Sequence, residues 1–224
     1  MSAITQLKPY YLCRKGLVKS DRTTFLRNET HLKMSNPKES ILQHFGQFIE
    51  VSNSLKAELT KRASLTSFNA GALIIDANRV CTTSYYILEG LTRTYFLKDG
   101  KEVIEYFSSN NEWANSPRSW RTGKPDIYYV DAIEDTTAIS IEARDMGYLF
   151  DTFPELDRYG RLSMVTLLDH LIERITSFRF TTAREKYDHF KQTYSRIHHR
   201  IPLGMVASYL GITQETLSRI RRRD

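Results

Sequence analysis

Between Ile201 and Arg223 the chain reads IPLGMVASYLGITQETLSRIRRR. Its second half concentrates side chains that can hydrogen-bond or pair with an anion: Gln214, Glu215, Ser218, Arg219, Arg222 and Arg223. Carboxamide, carboxylate, hydroxyl and guanidinium groups on neighbouring turns offer both donors and acceptors, which suits recognition of a polar surface rather than bond-making. The elements that would hold them can be read locally. Pro202 suits a first helical turn because it has no N–H to leave unpaired. Val206, Leu210 and Ile212 can meet in a small core, and Gly211 suits a left-handed exit from the first helix. Thr213 is an N-cap candidate for a second helix. Leu217 and Ile220 form the buried side of that helix and leave the polar set outside. This is the layout of a helix-turn-helix whose second helix can enter a major groove. An ordinary helical hairpin with a solvated basic end gives the same local pattern, so the rest of the chain must decide.

The 224 residues allow one large or two small domains, and 41% hydrophobic content is enough for packed cores. The net charge of +6 suits an acidic partner without naming it. Its placement says more. Six arginines face two carboxylates from Arg196 to Asp224, beside the helix pair. Cys13 and Cys81 form neither a metal-ligand spacing nor a disulfide framework, which points to a reducing cytoplasm. No apolar run approaches the ~20 residues needed to span a bilayer, so no membrane partner is expected. The first residues also lack the apolar stretch of a secretory signal.

Residues 1–33 are polar and basic without a period and are expected to form a disordered extension, with Met34 as the natural start. Residues 38–64 carry a helical period through Ile41, Leu42, Phe45, Phe48, Ile49, Leu55 and Leu59. From Phe68 to Glu142 the pattern turns to short strands of period two, with a tight hairpin at Asp99-Gly100. Many short strands at this spacing predict a small β-roll or barrel. A long helix follows, from about Phe153 to Phe178. Met164, Leu168, Leu171, Ile175 and Phe178 step along it by four, three, four and three, as in a seam that pairs with its own copy. Leu162, Val165, Leu167 and Ile172 widen the apolar surface, so one face is expected to pack inward and one across a dimer. A last helix over about Thr182–Ser195 precedes the helix pair.

This order of elements, with Tyr85-Tyr86-Ile87-Leu88-Glu89-Gly90, Ala132-Ile133-Glu134-Asp135-Thr136 and the run from Ala207 to Arg221, resembles the Crp/Fnr family of transcription regulators over roughly residues 38–224. The resemblance implies an α+β chain: an N-terminal double-stranded β-roll of the cyclic-nucleotide-binding type (34–150), a long dimerisation helix (151–180) and a C-terminal helix-turn-helix (181–224). No wing is expected after it, since the printed sequence stops at Asp224. The implied partners are double-stranded DNA, a second copy of the chain and RNA polymerase. Gln214, Glu215 and Arg219 match the family's base-reading positions, with adenine, cytosine N4 and guanine as their natural targets. Thr213 and Ser218 are placed to reach phosphate, and Arg222 and Arg223 to meet the backbone.

The chain departs from the family where effectors bind. The Gly-Glu and Arg-Ser pairs of a cyclic-nucleotide cassette are missing from Glu112–Ser116 and Lys124–Tyr128, and Asp126 would repel a cyclic phosphate. Cyclic AMP is therefore not expected, and no other cofactor is assigned. The two cysteines cannot supply an iron–sulfur centre. Trp113, Arg118, Trp120 and Tyr128 are the candidates for a ligand pocket in the roll; the alternative is that they are packing residues. No His lies between Phe68 and Glu142, so a metal-binding roll enzyme lacks its ligands, and no metal site or catalytic motif is expected. The remaining alternative is a ligand-sensing or scaffolding roll protein without specific DNA binding.

Overall fold

The computed structural model describes residues 37–180 and 182–222; the expectations for residues 1–33, Met34 and Arg223 lie outside them. Helices α1 (Lys38–Gly46) and α2 (Asn53–Arg62) lead into strands β1 (Ser64–Phe68), β2 (Leu73–Ile75), β3 (Thr83–Glu89), β4 (Leu91–Lys98), β5 (Lys101–Ser109) and β6 (Trp113–Ala114). The short helix α3 (Pro117–Thr122) precedes β7 (Tyr129–Ala132) and β8 (Thr136–Glu142). Helices α4 (Ala143–Thr152), α5 (Pro154–Phe180), α6 (Ala183–Thr193), α7 (Leu203–Leu210) and α8 (Gln214–Arg221) complete the described chain. The strands form two antiparallel four-stranded sheets, ordered β1-β8-β3-β6 and β2-β7-β4-β5. This is the α+β β-roll architecture expected from the strand pattern. Among the described residues, no helix is long and apolar enough to cross a membrane.

Two glycine positions set the roll's corners. Asp99 and Gly100 both have positive φ and join β4 to β5 in two residues, a turn whose twist matches the strands it connects. Gly90, with φ +122°, turns β3 into β4, and a Cβ there would sit 2.7 Å from the Thr136 Cα. Only glycine lets the β3–β4 corner lie this close to β8.

Alternation along the strands sorts side chains into three layers. Outside the first sheet, Tyr86, Ile139 and Ile141 pack with Ile41, Phe45, Leu55, Leu59, Leu149 and Leu156 from the surrounding helices. Between the sheets lie Ile75, Ile87, Ala114 and Val130. Outside the second sheet, Leu91, Tyr95, Ile104 and Phe107 share a core with Phe190, Val206, Leu210 and Leu217 of the C-terminal helices. The helix-turn-helix is therefore built onto the roll.

Two expectations need correction. The helical period over 38–64 belongs to two helices and the start of a strand. Ser52 ends the intervening turn by capping α2, accepting from Leu55 N–H at 3.2 Å and donating to Glu155 at 2.7 Å. Residues 64–68 become β1 because β8 pairs with them, with Thr66 and Ser140 hydroxyls 3.1 Å apart across the ladder. The long helix starts where the sequence places it: the chain leaves α4 in extended backbone at Phe153, and Pro154 opens α5. Finally, the inward face of α5 is short. Leu156 and Tyr159 are buried, whereas Leu162, Met164, Val165, Leu167, Leu168, Leu171, Ile172, Ile175 and Phe178 are exposed along a helix about 40 Å long.

The start of α5 is anchored by a polar relay inside the first core. Trp113 Nε1 donates to Tyr159 Oη at 2.9 Å, and Tyr159 Oη lies 3.0 Å from His44 Nε2. The Tyr159 hydroxyl, which accepts from Trp113, can still give its hydrogen to the imidazole, an arrangement suited to the neutral ring. Burial lowers the His44 pKa from 6.5 to about 4. The sign follows: the unfolded chain takes up this proton first, so the stability is fully present above pH 6.5 and is lost as pH falls toward 4. Urea unfolding from pH 7.5 to 4.5 should show this acid loss in the natural chain and a flatter profile in His44→Gln. Parallel profiles would show that His44 does not contribute.

Candidate nucleic-acid interface

The helix pair forms as its local chemistry dictates. Gly211 ends α7 with φ +66°, ψ +33°; its N–H and that of Ile212 return to Ser208 and Ala207 carbonyls, both at 3.1 Å. Thr213 starts α8 in extended backbone, and its Oγ1 accepts from Thr216 N–H at 3.2 Å. The Thr213 hydroxyl is thus engaged in capping. Leu217, fully buried, anchors α8 against Val206 and Leu210; full burial of such a side chain contributes about 2 kcal/mol. The far end of α8 is held by Arg184, which donates to the Ile220 carbonyl at 3.3 Å. A guanidinium there also complements the negative end of the helix dipole.

One difference from the sequence reading concerns Pro202. It is the N-cap, with ψ 138°, and α7 begins at Leu203. The next residue, Gly204, presents bare backbone to α8: a Cβ there would lie 3.3 Å from Gln214 Oε1.

Gln214, Glu215, Arg219 and Arg222 are exposed, and Ser218 is half-buried. These five residues, with Leu203, line one open groove of about 660 Å³. The structure therefore gathers all but two of the predicted DNA-reading residues on a single concave surface. Thr213 stands at the cap just before them, and Arg223 lies outside the described residues. Leu203 is the lining residue that the sequence did not suggest; it enters because its neighbour Gly204 lets the start of α7 lie beside the Gln214 side chain.

The four ligand-pocket candidates do not converge. Trp113 and Trp120 pack against the helix-side core, and the buried Trp120 Nε1 has no hydrogen-bond partner among the described residues. Arg118 pairs with Asp126 and lies 5.9 Å from the Tyr128 ring centre, and Tyr128 meets Phe96 edge-on. Arg118, with Ser116 Oγ and Ile127 N–H, holds the Asp126 carboxyl below the usual carboxylate range. A separate open cavity of about 250 Å³ is lined by Leu73–Asp76, Arg79–Thr83 and Tyr85. Aromatic residues close in sequence were thus divided among a core, a surface pair and a strand face.

The predicted seam on α5 is exposed, from 61% at Met164 to 40% at Phe178. Phe178 also faces its own helix pair. Its ring lies 5.0 Å from Lys186 Nζ, and a Cβ at Gly211 would lie 3.7 Å from it.

No protein-family model and no curated protein matches the sequence. Solved structures do. A mutant of CooA from Carboxydothermus hydrogenoformans superposes with a TM-score of 0.61 at 17% identity, over 77% of this chain and 78% of that one. FixK2 from Bradyrhizobium japonicum gives 0.62 at 19% identity, over 72% and 83%. A chain described as a transcriptional regulator of the Crp/Fnr family from Eubacterium rectale gives 0.60 at 18%, over 77% and 82%. The fold is that of the Crp/Fnr regulators. The likeness spans both the roll and the C-terminal helices, and it agrees with the order of elements read from the sequence. At these identities it describes architecture alone.

Proposed function

We propose that this chain is a sequence-specific DNA-binding transcriptional regulator that acts in the cytoplasm as a homodimer paired along α5. The groove lined by Gln214, Glu215, Ser218, Arg219 and Arg222 carries this reading. It combines an amide, a carboxylate and two guanidinium groups on the exposed side of a helix whose opposite side is anchored by Leu217. Such a helix suits the major groove, where Gln pairs with adenine, Arg with guanine and a carboxylate accepts from cytosine N4. Thr213 and Arg222 lie at the two ends of α8, where phosphates pass.

The apolar stripe Met164, Leu168, Leu171 and Ile175 supports the dimer, because a soluble monomer rarely leaves so continuous a patch in water. A two-fold axis along α5 would present two reading helices to half-sites about one helical turn apart. A cyclic nucleotide is not assigned to the roll. Arg118 is already committed to Asp126, whose side chain is only 6% exposed. Selection of bound duplexes from a random pool tests the proposal. The expected product is a two-fold symmetric motif with half-sites one turn apart; a pool that stays random after repeated rounds would refute sequence reading.

A further inference from the structure

Strand β5 lies at the edge of its sheet, and among the described residues one side of its backbone has no strand partner. Its outward-facing groups nevertheless find partners in the C-terminal helices. Ser208 of α7 binds it twice: its Oγ accepts from Ile104 N–H at 3.1 Å and donates to the Glu102 carbonyl at 2.9 Å. Tyr194 Oη accepts from Phe107 N–H at 3.4 Å. Arg174 of α5 donates to the carbonyls of Ile104 and Glu105 and pairs with the Glu105 carboxylate at 2.9 Å.

A bulge makes this possible. Thr94 faces Tyr106 and Tyr95 faces Ile104, which leaves Glu105 as the extra residue on β5. The extra residue puts Ile104 and Phe107, three apart, on the same side, where both join the core under the helix pair. It also leaves the Glu105 carbonyl for Arg174.

Arg174 touches three parts of the molecule. Besides the bulge, its guanidinium lies 4.6 Å from the ring centre of Tyr209 in α7 and 5.4 Å from that of Phe178 in its own helix. It follows Leu171 by three residues and precedes Ile175 by one, so it meets the roll and the helix pair from the same turn of α5 that carries the exposed stripe. We propose that Arg174 is a positioning residue for DNA reading: by pinning α5 and α7 to the bulge in β5 it fixes the direction in which α8 is presented, and so the distance between the half-sites a dimer accepts. This rests on the DNA-binding reading above. The planar fork is the operative feature, because it reaches two carbonyls at once, which a lysine cannot reproduce with the same geometry.

The test compares the full-length chain with Arg174→Met, Arg174→Lys and Glu105→Gln, each first checked for a cooperative melt. Without DNA, amide exchange at Ile104 and Phe107 reports whether the helix pair stays on β5. Arg174→Met should speed both amides about tenfold, although Ser208 and Tyr194 are untouched, and Arg174→Lys should fall between. Glu105→Gln keeps the backbone contacts and should leave both slow. With DNA, a set of duplexes differing only in half-site separation should be discriminated by the natural chain and by Glu105→Gln, and accepted almost evenly by Arg174→Met. Unchanged exchange in Arg174→Met overturns the clamp. Faster exchange with an unchanged spacing preference overturns the positioning role. If Arg174→Met does not fold, Arg174→Lys decides by the same two readouts. A natural chain that prefers no duplex at all would instead refute the DNA-binding reading, and exchange would still decide the clamp.

Discussion

Leu171→Asp should convert the proposed dimer to monomer across the micromolar range. Leu171 sits at the centre of the exposed stripe on α5, and a two-fold axis would bring two copies of it into one contact. Leu171 is 41% exposed, so pairing can bury only that remainder of the side chain. At about 1.5–3 kcal/mol for a whole leucine, the pair contributes roughly 1–2.5 kcal/mol. At about 1.4 kcal/mol per tenfold, losing both weakens pairing by roughly 10–60-fold before the two new carboxylates are considered. Their mutual repulsion acts in the same direction. Fold stability should change little, because residue 171 is exposed within the single chain. Sedimentation velocity over a concentration series reads the effect directly. A dimer mass that persists in Leu171→Asp would rule out this stripe as the pairing surface.

Arg219→Ala should produce the largest loss of site-specific DNA binding. Its guanidinium lines the groove beside Glu215 and Ser218, one turn into the reading helix. A bidentate base contact discriminates by about 1–3 kcal/mol, and a dimer makes the contact twice. Affinity for the selected site should therefore fall far more than affinity for random duplex of equal length. Arg222, at the end of α8, is expected to behave differently, with Arg222→Ala weakening all duplexes alike and reducing the salt slope. Equal losses on specific and random DNA in Arg219→Ala would mean that Arg219 meets phosphate and reads no base.

Much of the site was legible because it is local. Gly211, Thr213 and Leu217 define the turn, the cap and the buried side within seven residues, and the groove residues follow from helical periodicity. The Asp99-Gly100 hairpin was legible for the same reason, since two positive φ angles need particular residue types. What escaped depends on distant partners. Ser64 falls at the end of the stretch with a helical period, and pairing with β8 makes Ser64–Phe68 a strand. Glu105 gives no local sign of being a bulge, and Ser208 no sign that its hydroxyl will serve the backbone of β5 a hundred residues earlier. The docking of the helix pair on the roll was hidden for this reason. Val206, Leu210 and Ile212 suggested a small core, and the structure extends that core onto Leu91, Tyr95, Ile104 and Phe107. For Trp113 and Trp120 the structure favours the packing alternative over a pocket: alternation along β6 and the turn of α3 direct them toward the helix-side core.

The central claim is that the outer side of α8 reads base sequence. The most direct measurement is the affinity of the full-length chain for its selected duplex relative to a scrambled duplex of the same composition, at one fixed physiological salt concentration. Sequence reading by Gln214, Glu215 and Arg219 predicts a ratio of about 10³ or more. A ratio near one, with both affinities falling together as salt is raised, would contradict it and leave only electrostatic attachment to DNA.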